Sequence, residues 1–530
     1  MAEALIWAAD RLLPQFQTPH HLTVYDIRKA SPAVQLSVST LTGLINRPQP
    51  QVYLLTTDED AIWLQQLATS IPHETAPASN DDSLASMLTS FRDYAKGLII
   101  HDPDFLDSIN IATMMAGQQD GIVVSPEQAS ALQTSHQLPI LADLRAHHWQ
   151  QRLSAYEWAR QNLLKGASQR VIAGLDPKTA AGVRAFLVAT RAFVYWLDSR
   201  DILPDPRDHW QSERALMQQI FASFAGQAVH LGWFIDEASG VSLTSMAAIP
   251  VLATDYMTNL ETWTSITPAA PPTRPAALPP TTMNASNKIY LSFTISDGDN
   301  LQYIQHHLFH LWRDSARGSF PLGWTFSPAM SEAAPAMSAY YLNTATPNDE
   351  LIAGPSGAGY IFPSYWPADQ LPAFLQRTGR LMQNLGMTQV EMLDAGFLQS
   401  VGVPILDDFL HPGMTLRDRS MQESIAAALA PFGVGGIFSG AGVIFRPSWN
   451  IFAGIPVYEN LGLAGSVSQA VNMIRFAAVT FFQRPLFLNV YILAWSMAPS
   501  NIKQVIEQLG SSYEVVTPGT LLAMLAKAQA

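Results

Sequence analysis

IYLSFTISDGDN, residues 289–300, is a strand pattern that runs straight into an acidic turn. Ile289, Leu291, Phe293 and Ile295 recur at every second position, the period of a buried strand, and Tyr290 adds strand preference. Ser296, Asp297, Gly298, Asp299 and Asn300 then break the run, and LQYIQHHLFHLW continues as a helix from Leu301. Strand, acidic turn and helix make the first unit of an α/β layout, in which ligands gather at the carboxyl ends of the strands. Asp297 and Asp299 are therefore expected to form the floor of an active site. The plainer role is helix capping, which Asp299 or Asn300 would fill equally well.

Downstream, the same rhythm repeats. PLGWTFSP (321–328), GAGYIFPSYWP (357–367), VEMLDAG (390–396), GGIFSG (435–440), GIPVYENLG (454–462), RPLFLNVYILAW (484–495) and YEVVTP (513–518) each read as a strand. Helical stretches separate several of them, at 368–385, 421–429, 467–482 and 502–509. About eight strands alternating with helices over residues 288–530 predict a TIM-like (β/α) barrel, with seven strands or an irregular closure equally acceptable.

Upstream, ITPAAPPTRPAALPPTTMNASN (266–287) is Pro-rich without a period and is expected to be an extended linker. Before it, LTVYDI, QVYLLT, GLIIHD and GIVVS alternate with helical stretches. They predict a Rossmann-like N-terminal α/β domain over residues 1–150, built on a parallel sheet. Residues 151–265 read as a helical or mixed α/β subdomain, with strand-like VHLGWFID before Glu237. No G-x-G-x-x-G follows any of these strands and no P-loop occurs in the chain, so no nucleotide cofactor is expected.

With 530 residues the chain exceeds a single core. Its 30 basic and 43 acidic residues give a net charge of −13, which disfavours nucleic acid as a partner. There is no cysteine, so thiol chemistry and disulfides are excluded. No uninterrupted apolar run is long enough to span a bilayer, so no membrane partner is expected. The first residues, MAEALIWAADRLLPQF, lack a basic segment followed by a long apolar one, which favours a cytoplasmic location. Nothing in the sequence marks the oligomeric state.

Asp297, Asp394 and Glu459 each fall at the carboxyl end of a different predicted strand, and a barrel would gather those ends into one crater. Facing carboxylates suit cleavage of a glycosidic bond: one protonates the leaving oxygen and the other attacks or activates water. The acid must hold its proton near neutral pH, which an apolar wall or a second carboxylate promotes. Asp297, Asp299, Asp394 and Glu459 are thus the catalytic candidates. Asn300, Trp324, Tyr360, Tyr365, Trp366, Trp495 and Glu237 are the candidates for holding a sugar, although aromatic residues more often fill cores.

Gly357-Ala358-Gly359-Tyr360-Ile361-Phe362-Pro363 resembles the signature of the GxGYxYP family of putative glycoside hydrolases, with Phe362 where the family has tyrosine. TVYDIRKASPAVQLSVSTLTGLINRPQPQVYLLTTDEDAIWL, LGWFIDEASGV, TDYMTNLETWTS and FTISDGDNLQY extend the likeness over most of the chain. The resemblance implies an N-terminal α/β region before a barrel-like domain, and a carbohydrate substrate. It also implies export, which the first residues do not suggest. Two other classes compete. In one, Asp297 and Asp299 hold a divalent cation for a metal-dependent hydrolase or deacetylase, with His306, His307 and His310 close in sequence. Leu301, Ile304, Leu308 and Leu311 would turn those histidines away from the crater. In the other, the same fold binds carbohydrate without turnover.

Overall fold

The computed structural model describes residue 5 and residues 7–67, 71–201, 212–224, 228–268, 287–396, 412–442 and 447–529. The expected Pro-rich linker lies, from 269 to 286, outside the described residues. The chain divides into two units. One comprises residues 1–243, 251–270 and 332–336, and the other residues 244–250, 271–331 and 337–530.

The first unit contains three small parallel sheets. β1 (Leu22–Asp26) lies between β2 (Val52–Leu55) and β3 (His73–Thr75). β4 (Gly97–Ile100) lies between β5 (Gly121–Val124) and β6 (Ile140–Asp143). A third sheet orders β7 (Val171–Gly174), β8 (Phe193–Tyr195), β9 (Val229–Gly232) and β10 (Val251–Ala253) as β10-β9-β7-β8. The strands expected in one sheet over residues 1–150 thus fall into two. Those sheets are completed by β3, exposed throughout, and β6, whose Ile140 and Leu141 are exposed, so neither carries a burial pattern to read. Local chemistry sets the joints. Pro32 opens the helix Pro32–Asn46, where a missing N–H costs nothing. Asn46 ends it by accepting from the N–H groups of Gln51 and Val52 and donating to the Val52 carbonyl, which ties the helix end to β2. Ser125 and Gln128 form a reciprocal capping box at the head of the helix Pro126–His136.

The second unit is one curled sheet. Its strands are β11 (Ile289–Ile295), β12 (Leu322–Phe326), β13 (Asp349–Ala353), β14 (Gln389–Met392), β15 (Gly436–Ser439), β16 (Ser448–Phe452), β17 (Ile455–Glu459), β18 (Leu463–Ala464), β19 (Leu486–Ile492) and β20 (Tyr513–Val515). They run in the order β16-β17-β15-β14-β13-β12-β11-β19-β18, all parallel except the β16–β17 pair. All seven residues of β11 pair with β19 on one edge, so β20 and β12 divide its other edge between them. The two ends of the order meet in one run of chain. β17 pairs with β15, and a few residues later Leu461 N–H donates to the Asn489 carbonyl at 2.9 Å and Gly462 accepts from Tyr491 N–H at 3.0 Å. The expected TIM-like repeat is therefore met in part: a curled, mainly parallel sheet with an antiparallel edge strand and a shared edge on β11.

Alternation gives this sheet two unlike faces. Tyr290, Ile352, Phe438, Tyr458 and Phe487 point inward, where Leu521, Leu522 and Leu525 of the helix Pro518–Gln529 fill the amino-terminal end of the curl. Glycines permit that approach: a Cβ at Gly436 would lie 2.3 Å from Leu522, and one at Gly323 would lie 2.5 Å from Pro518. Above this apolar plug the inner face turns polar. Ser292 and Thr294 donate to Asn489 Oδ1 at 2.7 and 3.2 Å, and Asn489 donates to Asn460 at 2.6 Å. The apolar alternation of Ile289, Leu291, Phe293 and Ile295 thus marks the outer face of β11, opposite to its polar inner row.

GAGYIFPSYWP, expected as a strand, is the loop that follows β13. Gly357 has φ +104°, and a Cβ there would lie 2.4 Å from Thr378, so the position accepts glycine alone. The loop's backbone is satisfied by side chains. Thr378 accepts from Ala358 N–H at 3.0 Å, and Ser356 donates to the Ile361 carbonyl at 2.9 Å.

Candidate functional site

β11 ends where Ser296 N–H still donates to the Ile492 carbonyl, and the chain then turns sharply. Asp297 takes φ +70°, a conformation that Asp tolerates better than most residues. Gly298 follows because a Cβ there would meet the Thr325 backbone at 2.0 Å, and its N–H donates to Thr325 Oγ1 at 2.9 Å. β12 thus pins the turn. Asn300 then caps the helix Leu301–Gln305, its Oδ1 accepting from Tyr303 N–H at 2.9 Å, and so takes the capping role rather than a free one.

This turn holds the Asp297 carboxylate between two donors. Trp495 Nε1 donates to Oδ1 at 2.9 Å, and Ser296 Oγ donates to Oδ2 while accepting from Ala494 N–H at 3.1 Å. Burial pushes the Asp297 carboxyl above its usual range, against the lowering effect of the Ser296 and Trp495 bonds and of His307. Trp495 is 53% exposed, a large ring left open to solvent beside a partly buried acid. One of its faces stacks on His307, with centroids 4.8 Å apart and planes at 18°, and Tyr303 meets it edge-on. His307 therefore belongs to the site, against the expectation that the histidines turn away. Its Nε2 lies 3.0 Å from the Ala494 carbonyl, which orients the ring.

A carboxyl absent from the sequence-based candidates stands beside Asp297. Glu391, in β14, is fully buried, and Tyr491 Oη donates to its Oε2 at 2.8 Å. Its Oε1 has no partner among the described residues. Burial pushes the Glu391 carboxyl up to about 8; the Tyr491 bond lowers it and the nearby Asp297 charge raises it. Burial likewise lifts the Tyr491 phenol well above its ordinary range, helped by Glu391, Asp297 and Asp299. Gly354, just past the end of β13, leaves the room: a Cβ there would lie 2.7 Å from Glu391 Cβ. The one signal in the sequence was an acid inside the otherwise apolar QVEML, the mark of a buried charge on an inner face.

The structure brings Asp297, Asp299 and Glu391 within electrostatic reach of Tyr491, keeps Asp394 at the same strand edge, and sets Glu459 and Trp324 on the other face of the sheet. Asp394 is 5% exposed and accepts from both the N–H and the hydroxyl of Ser364, in the loop carrying the glycine motif. Glu459 faces elsewhere. Tyr458 points into the curl, so strand alternation turns Glu459 to the outer face, where it lines a cavity of about 420 Å³ with Arg417, Gln422, Ser439 and Asn450. Trp324 is also on the outer face, fully buried against Trp312 and donating to Asp349 at 2.9 Å. Tyr360 is buried, 3.5 Å from the Met414 sulfur. Trp366 is buried and packs on Phe374, and Tyr365 is partly exposed in the same loop. Glu237 opens the helix Glu237–Met246 and belongs to the first unit. Of the aromatic candidates, Trp495 sits on a site carboxylate.

No group of three or more histidine, aspartate or glutamate side chains among the described residues is arranged to hold a metal ion. No helix among them is long and apolar enough to cross a membrane.

Three small parallel sheets and a curled one with acids at its carboxyl edge define a multidomain α/β protein with a strand-end acidic site. The chain belongs to the GxGYxYP family. Residues 287–526 match the GxGYxYP putative glycoside hydrolase C-terminal domain, and residues 21–93, 95–167 and 169–265 match the family's first, second and third N-terminal domains. The crystal structure of a putative hydrolase from Bacteroides thetaiotaomicron VPI-5482 shares the fold. It is 21% identical with a TM-score of 0.80, over 99% of this chain and 98% of that one. A putative polysaccharide deacetylase from Mycobacterium smegmatis aligns at 10% identity and a TM-score of 0.30, over 48% of this chain and 95% of that one. No curated protein matches the chain.

Proposed function

We propose that the second unit is a glycoside hydrolase domain that works as a TIM-like barrel, with its substrate at the carboxyl edge of the curled sheet. The observation that carries this reading is the pairing of Asp297 with Trp495: an acid held by a half-exposed indole ring. The ring offers a face for the apolar side of a sugar, and the acid at its N–H edge stands beside where the anomeric carbon would lie. Asp297 attacks that carbon or activates water against it, and Asp299, on the same turn, sustains the local negative field that stabilises developing positive charge. Asp394, fixed by Ser364, is the remaining acid at the same strand edge and is assigned to substrate hydroxyls.

The test is hydrolysis of a panel of 4-nitrophenyl glycosides by the full chain, beside Asp297→Asn, Asp299→Asn and Asp394→Asn. Turnover by the wild type with a loss of about 10²-fold or more in Asp297→Asn supports the assignment. Equal turnover in all four proteins overturns it. Glycan binding by calorimetry without hydrolysis would favour the non-catalytic carbohydrate-binding reading.

A further inference from the structure

We infer that Tyr491 and Glu391 form a proton relay that serves the leaving group: Tyr491 delivers its phenol proton to the glycosidic oxygen, and Glu391, reached only through Tyr491, replaces it. This inference rests on the glycosidase reading and names the acid that the reading requires.

The geometry is specific. Glu391 is fully buried, Tyr491 keeps 4% exposure, and a 2.8 Å hydrogen bond joins the carboxyl to the Tyr491 hydroxyl. Glu391, Asp297 and Asp299 all raise the Tyr491 phenol, so the three acids lie within electrostatic reach of it. Tyr491 pairs with Thr294 of β11, three residues before Asp297, which brings the phenol to the foot of the acidic turn. The groups facing Glu391 are the Tyr491 phenol from β19 and the Asp297 carboxylate beyond β11; Gly354 meets it just past the end of β13, and β15 presents Phe438 in register. No cation faces it among these elements, and the Asp297 charge and a dry site keep the acid protonated near neutral pH. The buried, unpartnered Oε1 fits a carboxyl that holds a proton rather than a charge.

The step balances. A water oxygen bonds to the anomeric carbon as the bond to the leaving oxygen breaks, and the water's proton passes to Asp297. The leaving oxygen keeps the electron pair and takes the Tyr491 proton. With Glu391 protonated, the 2.8 Å contact runs from the carboxyl O–H to the Tyr491 oxygen, the reverse of its direction when Glu391 is ionised, so the phenol oxygen takes the Glu391 proton and leaves Glu391 ionised. Asp297 returns its proton to solvent and Glu391 regains one, so the sum is hydrolysis. Glu391 acts through Tyr491 and is a positioning residue; Tyr491 is the group that touches substrate.

The experiment compares wild type, Glu391→Gln and Tyr491→Phe on matched 4-nitrophenyl and methyl glycosides across pH. A nitrophenolate leaves without a proton, whereas an alkoxide does not. Both variants are expected to lose methyl-glycoside turnover by about 10²- to 10⁴-fold while 4-nitrophenyl turnover changes by only a few-fold. The wild-type methyl-glycoside rate should fall as pH rises through about 8, and that limb should vanish in Glu391→Gln. Equal losses on both substrates, as from a structural defect, would overturn the relay, and so would unchanged rates on methyl glycosides. A second measurement needs no substrate. The infrared carbonyl band of a protonated carboxyl should persist at neutral pH, disappear above about 8, and be missing from Glu391→Gln. Its absence from the wild type at neutral pH overturns the relay whatever the activity. Its presence in a protein that hydrolyses none of the glycosides overturns the glycosidase reading, and the relay with it, while leaving the buried acid in place.

Discussion

Tyr491 reaches Glu391 at 2.8 Å although β19 and β14 are separated in the sheet by β11, β12 and β13. A flat sheet would hold these side chains about 19 Å apart at the usual strand spacing. The bond therefore reports the curl directly, and it fixes two strands that share no backbone pairing. Tyr491→Phe would leave the fully buried Glu391 carboxyl without its donor. It should cost roughly 1–3 kcal/mol, read as a lower denaturation midpoint in urea at unchanged slope.

Glu391 links stability to pH. Its carboxyl would ionise near 4.5 in the unfolded chain and near 8 in the folded one. Between those values the folded state binds the extra proton. Its contribution is complete below the lower value and is lost as pH rises through the upper one. The loss is on the order of 5 kcal/mol. Urea titrations of wild type and Glu391→Gln at pH 5 and pH 8.5 should show the variant gaining on the wild type at the higher pH. Parallel changes in both proteins would refute the linkage.

Glu459→Gln should leave glycoside turnover within about twofold, because that side chain lines the outer cavity rather than the acidic turn. Asp297→Asn in the same assay should lose about 10²-fold or more. The contrast separates two acids that looked equivalent in the sequence.

Trp495→Ala should keep the fold, since the ring is half exposed, but weaken substrate binding about tenfold, seen as a raised KM. It also removes a donor that lowers the Asp297 carboxyl, so the acid limb of the rate profile should move to higher pH.

Gly357→Ala places a methyl group 2.4 Å from Thr378 at φ +104°. A loss of about 2–3 kcal/mol is expected. Gly433→Ala is the control: its φ is also positive, at +81°, but nothing lies within 4 Å of its added Cβ, so it should cost less.

Most of the second unit could be read from local pattern, because its strands are apolar runs bounded by Gly, Pro and acids. The site was legible at Asp297 and Trp495, where a polar or aromatic residue interrupts a strand end. It was not legible at Glu391. A single-residue shift in register decides which face a side chain occupies, and inner and outer positions of a doubly buried strand look alike in sequence. The same ambiguity hid from the sequence that Glu459 and Trp324 lie on the outer face. β3, β6, β8, β16 and β18 went unread because short edge strands carry little hydrophobic signal, and the interior strands β7 and β13 went unread because four or five residues are too few to show a period. The glycine motif read as a strand because tyrosine and isoleucine favour one, while its backbone follows Gly357 and the side-chain bonds of Ser356 and Thr378.

The division of β11 between late partners shapes how the chain is made. During synthesis Ile289–Ile295 emerges well before Leu486–Ile492 and Tyr513–Val515, which occupy one of its edges entirely and half of the other. Until those residues leave the ribosome, this buried strand waits with open hydrogen-bonding edges, a template for sticking to other nascent chains. The three upstream sheets have all their strands by residue 253 and can fold during that wait. Slower translation would not shorten the exposure. A chaperone that shields β11, or a lower growth temperature, is what should raise the soluble yield.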